Sequence, residues 1–179
     1  MKIFMCIGLY CLLLSYSQIV VAQNAEPADP CGDAAVESQS WGIVRGRVIK
    51  VEKGDTVVVS LKGRKITRVN LVGIDAPEHG KPFSKASRLL LESLLKGKVI
   101  EVWVNNSKWL GRQVPVEIAG VVRLRNIELL DVNLLMLQSG MAQHKQPEPY
   151  TMSSHSKCHY ARAEDEARAA RRGLWRGAA

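Results

Sequence analysis

The sequence lacks several features that would indicate a specialised architecture. It has no internal repeat and no low-complexity region, which excludes solenoid, propeller and collagen-like folds. Beyond the N-terminal segment it has no long apolar run, so nothing there predicts a membrane-spanning helix. Histidine is scarce, with four residues, and neither His79 nor His144 offers a catalytic pairing. Candidate chemistry is therefore sought among carboxylates and cationic side chains.

The one long apolar run lies at the N-terminus. Residues 3–16 are almost wholly apolar, follow Lys2, and lead to small residues that end at Ala22. This layout is typical of a secretory signal peptide, and we predict that residues 1–22 are cleaved off. An uncleaved anchor is the alternative, although polar residues interrupt the run. We therefore expect an exported protein, periplasmic or secreted, without stable membrane association after cleavage.

Acidic residues are fewer than basic residues. The chain carries 25 Lys and Arg against 17 Asp and Glu, a formal net charge of +8. Residues 1–22 hold one lysine and no acid, so the predicted mature chain has 157 residues and a charge of +7. This length suffices for one domain with a real core, and we expect a monomer. A basic exported protein suits an anionic partner, nucleic acid first, although a generic cationic surface would show the same charge.

Cysteine is also scarce, because only Cys31 and Cys158 lie outside the predicted signal peptide. In an oxidising compartment such a pair usually forms a disulfide, which would tie the N-terminal tail to the C-terminal helix. Two free thiols are an alternative. A metal site of Cys158 with His155 and His159 is another, since these residues share a helix face. Zinc sites normally draw ligands from more than one segment, which argues against that site.

The rest of the chain divides into a tether and one domain. Residues 23–40 are rich in Ala, Pro, Asp and Ser without apolar periodicity, which predicts a flexible tether. Residues 41–176 form the predicted domain. Alternating apolar residues predict five strands, at 43–51, 56–61, 66–74, 99–104 and 114–122.

Helical periodicity predicts three helices between and after the strands. The first has Ser84 as its N-cap and an apolar stripe that includes Leu89 and Leu94; the others span 131–139 and about 156–172. Residues 143–156 are predicted as an irregular loop. The expected fold class is mainly β (α+β), a five-stranded, partly open barrel of the OB type with about three helices.

Two short motifs carry the candidate chemistry. Gly54-Asp55-Thr56 and Asp75-Ala76-Pro77-Glu78 each place a lone carboxylate where a strand meets a turn. Hard divalent cations prefer several oxygen ligands, and a third carboxylate beside the ion can orient or deprotonate a water. Either motif alone is typical of an ordinary turn. Together, about twenty residues apart and followed by an apolar helix, they predict a metal-dependent site.

With Leu110-Gly111-Arg112, these motifs resemble those of the staphylococcal nuclease (thermonuclease) family over roughly residues 43–176. The resemblance implies an OB-fold enzyme that hydrolyses phosphodiester bonds of DNA and RNA with Ca²⁺. It implies that Asp55, Asp75 and the backbone carbonyl of Ala76 are metal ligands, that Glu78 orients or activates the attacking water, and that Arg112 contacts the scissile phosphate. A planar, bidentate guanidinium suits that last role.

Two residues depart from the family pattern. Asn70 stands where the family has an arginine, and Lys53 stands where it has an acidic residue before Gly-Asp-Thr. Loss of one such phosphate clamp can cost on the order of 10²–10³ in rate. Arg68, about 6–7 Å upstream on the same strand face, is a candidate replacement, although it fits equally a solvated or ion-paired strand residue. Lys53 either binds phosphate or weakens the metal site by repulsion.

Three further residues are candidates for contacts with nucleic acid. Lys108 and Trp109, beside the predicted phosphate contact, suit a backbone phosphate and a stacked base, although a tryptophan that caps the barrel fits as well. Tyr150 suits a second stacking position, or it simply anchors its loop.

The predicted function is an exported metal-dependent nuclease, a hydrolase with Ca²⁺ as cofactor and DNA or RNA as partner. The alternative is a catalytically weak or inactive OB-fold module that binds nucleic acid, which the replacement at Asn70 favours. A structural domain of an envelope assembly is a third possibility, but it leaves Asp55, Asp75 and Glu78 unexplained.

Overall fold

The computed structural model describes residues 29–32, 41–63, 65–104, 114–125, 129–146 and 152–177. The chain forms two compact units, residues 1–32 and residues 33–179. In the first, the described residues form a turn in which Gly32 N–H donates to the Asp29 carbonyl at 2.8 Å and Cys31 N–H to Asp29 Oδ1 at 2.9 Å. The predicted signal peptide and most of the predicted tether lie outside the described residues.

The second unit contains all the described strands and helices. The strands are β1 (Gly42–Lys53), β2 (Thr56–Leu61), β3 (Ile66–Leu71), β4 (Ile74–Asp75), β5 (Val99–Val104), β6 (Glu117–Arg125), β7 (Leu129–Asp131) and β8 (Gln143–His144). The helices are α1 (Ser84–Leu95), α2 (Val132–Gln138) and α3 (Ser154–Ala169), followed by a 3₁₀ turn at Gly173–Gly177. None of the described helices is both long and apolar enough to cross a membrane.

Five strands close into a barrel. They lie in the order β3-β2-β1-β5-β6 with antiparallel neighbours, and a parallel pairing of β3 with β6 completes the ring. The interior is filled by β-branched side chains that alternate with outward-facing residues, and Val57, Val59 and Val69 are fully buried. This five-stranded OB barrel with three helices confirms the predicted fold class, although the β3–β6 pairing closes the ring that was predicted to be partly open.

The third predicted strand is in fact two. β3 ends at Leu71, and Gly73 takes the left-handed conformation, φ 79°, which turns the chain into β4. β4 pairs with β8, where Asp75 lies opposite Gln143, inside the segment predicted as an irregular loop. Strands of two or three residues are too short to show periodicity, which is why β7 and β8 were missed. The strand predicted at 114–122 is β6, displaced by three residues.

The first helix also differs from its prediction. Its N-cap is Phe83 rather than Ser84, with φ 63° and no side-chain cap. The buried residues are Ser87, Leu91 and Leu95, whereas Leu89 is exposed. A leucine-rich run offers two neighbouring stripes, and only the position of the barrel selects one. α3 begins two residues earlier and ends three residues earlier than predicted.

A buried amide completes the barrel closure. Asn133, on α2, is fully buried, and its Oδ1 accepts from Val122 N–H at 3.0 Å. Its Nδ2 donates to the carbonyl of Val72 at 2.9 Å and to that of Gly120 at 3.3 Å. The side chain therefore bridges the end of β3 to β6 where backbone pairing alone leaves groups unpaired.

Candidate active site

Asp55 lies in the turn between β1 and β2. Its Oδ1 accepts from Thr56 Oγ1 at 2.8 Å, and its Oδ2 accepts from the backbone N–H of Ala76 at 3.0 Å. The Asp55 carbonyl also accepts from Leu71 N–H at 2.8 Å. The bond to Ala76 joins the two carboxylate motifs, so the residues predicted to share a site do lie together.

The turn requires glycine before Asp55 because α1 packs directly against it. A Cβ at Gly54 would lie 1.8 Å from Ser87 Oγ and 2.8 Å from the Cβ of Ala76. Both distances are far below contact, and Ser87 is itself fully buried. The helix thus supports the Asp55 turn from behind and holds it against the second motif.

Asp75 and Glu78 present their carboxylates to solvent. The Asp75 side chain, at the end of β4, is 57% exposed and lies 3.6 Å from Lys145 Nζ. The Glu78 side chain is 66% exposed, and its Oε1 lies 2.7 Å from Lys53 Nζ. Both carboxylates line a cleft of about 360 Å³. They are accessible to an ion, a water and a substrate.

Lys53 links all three carboxylates electrostatically. The pKa of its ammonium is raised chiefly by the hydrogen bond to Glu78, and the charges of Asp55, Glu78 and Asp75 raise it further against partial desolvation. The side chain therefore supplies a positive charge to a cluster of three negative ones. Glu78, the predicted water-activating residue, is held by this ion pair.

The donor set fits a hard divalent cation. The predicted ligands are the carboxylates of Asp55 and Asp75 and the carbonyl of Ala76, and Glu78 lines the same cleft as Asp75 and Ala76, so every candidate ligand atom is oxygen. Ca²⁺ favours such sets, with remaining positions filled by water. The Ala76 N–H bond orients Asp55, which is the function of an outer-shell partner in metal sites.

Asn70, which replaces the family arginine, and Arg68, its candidate substitute, both contact carboxylates. Asn70 lies opposite Thr56 in the β2–β3 register, and its Nδ2 donates to Glu117 Oε1 at 2.6 Å. Arg68 Nη2 lies 2.8 Å from Glu52 Oε2. Burial raises the pKa of Glu52, but Lys50 and Arg68 outweigh it and hold that pKa below its ordinary value. Arg68 is thus an ion-paired strand residue, which was the alternative to a catalytic role. The catalytic role itself stays a prediction.

Several predicted residues lie outside the described part of the chain. They are the phosphate contact Arg112 and the nucleic-acid contacts Lys108, Trp109 and Tyr150. Their roles stay predictions.

Cys31 and Cys158 are both disulfide-bonded. Neither is therefore a free thiol, and Cys158 has no thiolate to offer the metal site considered with its histidine neighbours. His155 and His159 instead contact each other, with their Nε2 atoms 3.1 Å apart.

The sequence patterns missed residues that line the same cleft. Gln143 and Leu174 come from distant segments, and Phe83 precedes α1. Lys145, just after β8, ion-pairs with Asp75. Only the β4–β8 pairing brings Gln143 and Lys145 to the site. No local sequence motif predicts that pairing.

The family model described as "Staphylococcal nuclease homologue" matches residues 68–177. A micrococcal nuclease of Shigella flexneri is 32% identical over 145 residues, which cover 78% of this chain and 78% of that protein. The chain belongs to the staphylococcal nuclease family. An uncharacterized endonuclease of Escherichia coli O157:H7 is 30% identical over 143 residues, or 76% of this chain and 82% of that one.

A relative from a plant matches a shorter part of the chain. A probable staphylococcal-like nuclease of Oryza sativa subsp. japonica is 36% identical over 113 residues, which cover 60% of this chain but 26% of that protein. Family membership confirms the resemblance carried by the carboxylate motifs, and with it the prediction of a nuclease, a hydrolase.

Proposed function

We propose that this nuclease is exported and hydrolyses phosphodiester bonds of nucleic acid, DNA first, with a divalent cation, Ca²⁺ first. The observation that carries the proposal is the hydrogen bond from Ala76 N–H to Asp55 Oδ2 at 3.0 Å. This bond holds the Asp55 motif against the motif that contains Asp75 and Glu78, which supports a shared site of oxygen ligands drawn from two strand ends, the kind of site that a hard cation prefers.

The residues have distinct roles in this proposal. Asp55, Asp75 and the Ala76 carbonyl hold the cation, which supplies positive charge to the phosphate when it is bound. Glu78 accepts a proton from the attacking water at its carboxylate, and its high exposure leaves room for that water. For this the Lys53 ion pair must loosen. Arg112 stabilises negative charge on the phosphate as the bond to the leaving oxygen breaks.

Two observations support export. The N-terminal pattern is typical of a signal peptide, and Cys31 and Cys158 are disulfide-bonded. Disulfides persist in oxidising compartments such as the periplasm or the medium.

The proposal is tested by digestion of single- and double-stranded DNA and of RNA with Ca²⁺ or with chelator. Asp55→Ala and Asp75→Ala should each abolish cleavage and Ca²⁺ binding by calorimetry, because each removes a charged ligand. Asp165→Ala, which removes an exposed carboxylate on α3, is the matched control and should leave both unchanged. Full activity in excess chelator would contradict the metal assignment.

The second candidate is a binding module with little or no catalysis, favoured by the amide at Asn70. Its Nδ2 donates to Glu117 and supplies no guanidinium to the phosphate. Asn70→Arg should raise cleavage, most strongly together with Glu117→Gln, since Glu117 would otherwise hold the new guanidinium. If Arg68 stays paired with Glu52, Arg68→Ala should change the rate little. A loss of about 10²-fold in Arg68→Ala, together with little effect of Asn70→Arg, would instead assign the phosphate clamp to Arg68. A wild type that binds DNA, stays inert with every divalent ion and is not rescued by Asn70→Arg would favour the binding module.

A further inference from the structure

We propose that the cleft beside Glu78 is a nucleobase subsite, in which Phe83 stacks on a base of the substrate strand while Lys81 and Lys85 contact phosphates. The inference rests on the proposed function for its substrate class, a nucleic acid. It adds a binding element that neither the motifs nor the family resemblance assigned.

The first observation is the composition of the cleft. The carboxylates of Asp75 and Glu78 line the same cleft as the apolar side chains of Pro82, Phe83 and Leu174. The cleft's volume of about 360 Å³ falls in the range of small-ligand sites, which combine apolar walls with few polar groups. A phosphodiester held at the carboxylates therefore has apolar and aromatic side chains within the same cleft, against which a neighbouring base can lie.

The second observation is that Phe83 also lines a second depression with apolar surface. A shallow depression of about 400 Å³ is lined by Phe83, Ala86 and Leu89 together with Lys81 and Lys85. Leu89 is 45% exposed there. Apolar surface beside cationic side chains matches a single strand, whose bases offer flat apolar faces and whose phosphates alternate with them.

The third observation is the backbone of Phe83. Its φ of 63° lies in the left-handed region, which is a true outlier for a bulky aromatic residue. Glycine or asparagine would fit this N-cap position with less strain. Strained residues of this kind cluster at ligand-binding positions, and here the strain sets an aromatic ring between two depressions.

The charges favour nucleic acid over other occupants. Among the described residues, neither Lys81 nor Lys85 has a carboxylate within ion-pair distance, whereas Lys96 at the other end of α1 is paired with Glu92. Two uncompensated cations beside an aromatic wall complement a polyanion with π-faces. An acidic protein segment would satisfy the lysines but would leave the aromatic wall without a specific partner.

The test measures binding rather than cleavage. A dye-labelled short single strand of DNA, and an abasic strand of equal length, are titrated in chelator at low salt, and strand integrity is checked afterwards. Phe83→Leu keeps apolar volume but removes the π-face, and Phe83→Tyr retains it. Lys81→Gln with Lys85→Gln removes the cations, and Lys96→Gln, at the C-cap of α1, is the matched control. Thermal midpoints confirm that each variant is folded.

Phe83→Leu should weaken the affinity for the normal strand about fivefold or more and change the affinity for the abasic strand by less than about twofold. Phe83→Tyr should bind both strands like the wild type. The double substitution of Lys81 and Lys85 should weaken the binding of both strands. It should also reduce the slope of log K against log salt concentration by about 1.4, while Lys96→Gln should change neither quantity. Equal losses for both strands with Phe83→Leu, unchanged binding, or displacement of DNA by an acidic peptide alone would overturn the subsite. A protein that is inert with metal yet shows Phe83-dependent stacking would refute hydrolysis and keep the subsite.

Discussion

At the residue scale, Lys53 is what most distinguishes this site from the family pattern. The ammonium lies 2.7 Å from Glu78 and is stabilised by the charges of Asp55 and Asp75. The sequence suggested two roles for Lys53, phosphate binding and repulsion of the metal. The geometry favours the second role. A cation tethered among three carboxylates competes with a second cation for the same oxygens.

We expect Lys53→Gln to tighten Ca²⁺ binding about tenfold, because a unit charge near a divalent ion costs about 1–1.5 kcal/mol even in water. Calorimetry on the protein without nucleic acid measures this directly. Lys50→Gln is the control, since Lys50 is on the same strand but pairs with Glu52 outside the cluster. Unchanged affinity in Lys53→Gln would show that the ammonium swings clear of the bound ion.

At the element scale, two buried polar groups join α2 to its neighbours. Asn133 bridges the end of β3 to β6, and Asp131 caps the helix by accepting from Leu134 N–H at 3.0 Å. Asp131 also accepts from Tyr160 Oη on α3 at 2.9 Å. The apolar surface of α2 sets its location, while these bonds set its orientation.

Asn133→Ala should lower the free energy of unfolding by about 2–4 kcal/mol, because it leaves buried backbone groups of Val122 and Val72 without partners. Asn133→Asp should be at least as destabilising, since a carboxylate cannot donate to the Val72 carbonyl. Urea denaturation measures both variants. Gln138→Ala, an exposed change on the same helix, should alter stability by less than about 0.5 kcal/mol, and equal effects at the two positions would contradict the bridging role.

Asp131 makes a pH-dependent contribution to stability. Burial raises the pKa of its carboxyl, although Leu134 N–H, Arg123 and Tyr160 oppose that shift. The folded state therefore keeps the proton to higher pH than the unfolded state does. The contribution is most favourable below the ordinary aspartate pKa, about 3.9, and is lost as pH rises through the folded value.

Asp131→Asn removes this dependence while keeping an acceptor for Leu134 N–H and Tyr160. We expect the stability of the variant relative to the wild type to increase as pH rises from about 4 and then to level off. Tyr160 donates throughout, because burial and the Asp131 charge raise its pKa well above the ordinary value. Chemical denaturation at a series of pH values measures the difference. A constant difference would show that the carboxyl titrates alike in both states.

At the scale of the whole molecule, the cysteines connect export to stability. Cys31 and Cys158 are disulfide-bonded, and they are the two cysteines outside the predicted signal peptide. We predict that they bond to each other, closing a loop of more than one hundred residues. A cross-link of that length contributes up to about 4–5 kcal/mol in the chain-entropy model, and measured values often fall short.

Mass analysis of the exported protein under non-reducing conditions should give a mass two hydrogens below the reduced form. Peptide mapping should then find the two cysteines in one linked pair, and reduction should lower the thermal midpoint. Cys31→Ser with Cys158→Ser should reproduce the stability of the reduced protein. Two thiols that alkylate without reductant would contradict the bond.

The family, the OB barrel and the carboxylates of the candidate site could all be predicted from the sequence alone. Strand alternation and motif spacing are local properties of the sequence. Asp55, Asp75 and Glu78 each lie within a short motif whose residue types are typical of a metal-dependent site. The bounds of β6 and α3 shifted by two or three residues, because such ends depend on packing and capping rather than on periodicity.

The residues that surround those carboxylates could not be predicted, because they are brought together by the folded chain. The Ala76 bond to Asp55, the Lys53 ion pair with Glu78 and the arrival of Gln143 on β8 join segments that are far apart in the chain. The same holds for the face of α1 that is buried and for the position of Phe83 beside the cleft. Such contacts follow from barrel closure, a long-range event that no local pattern of residues encodes.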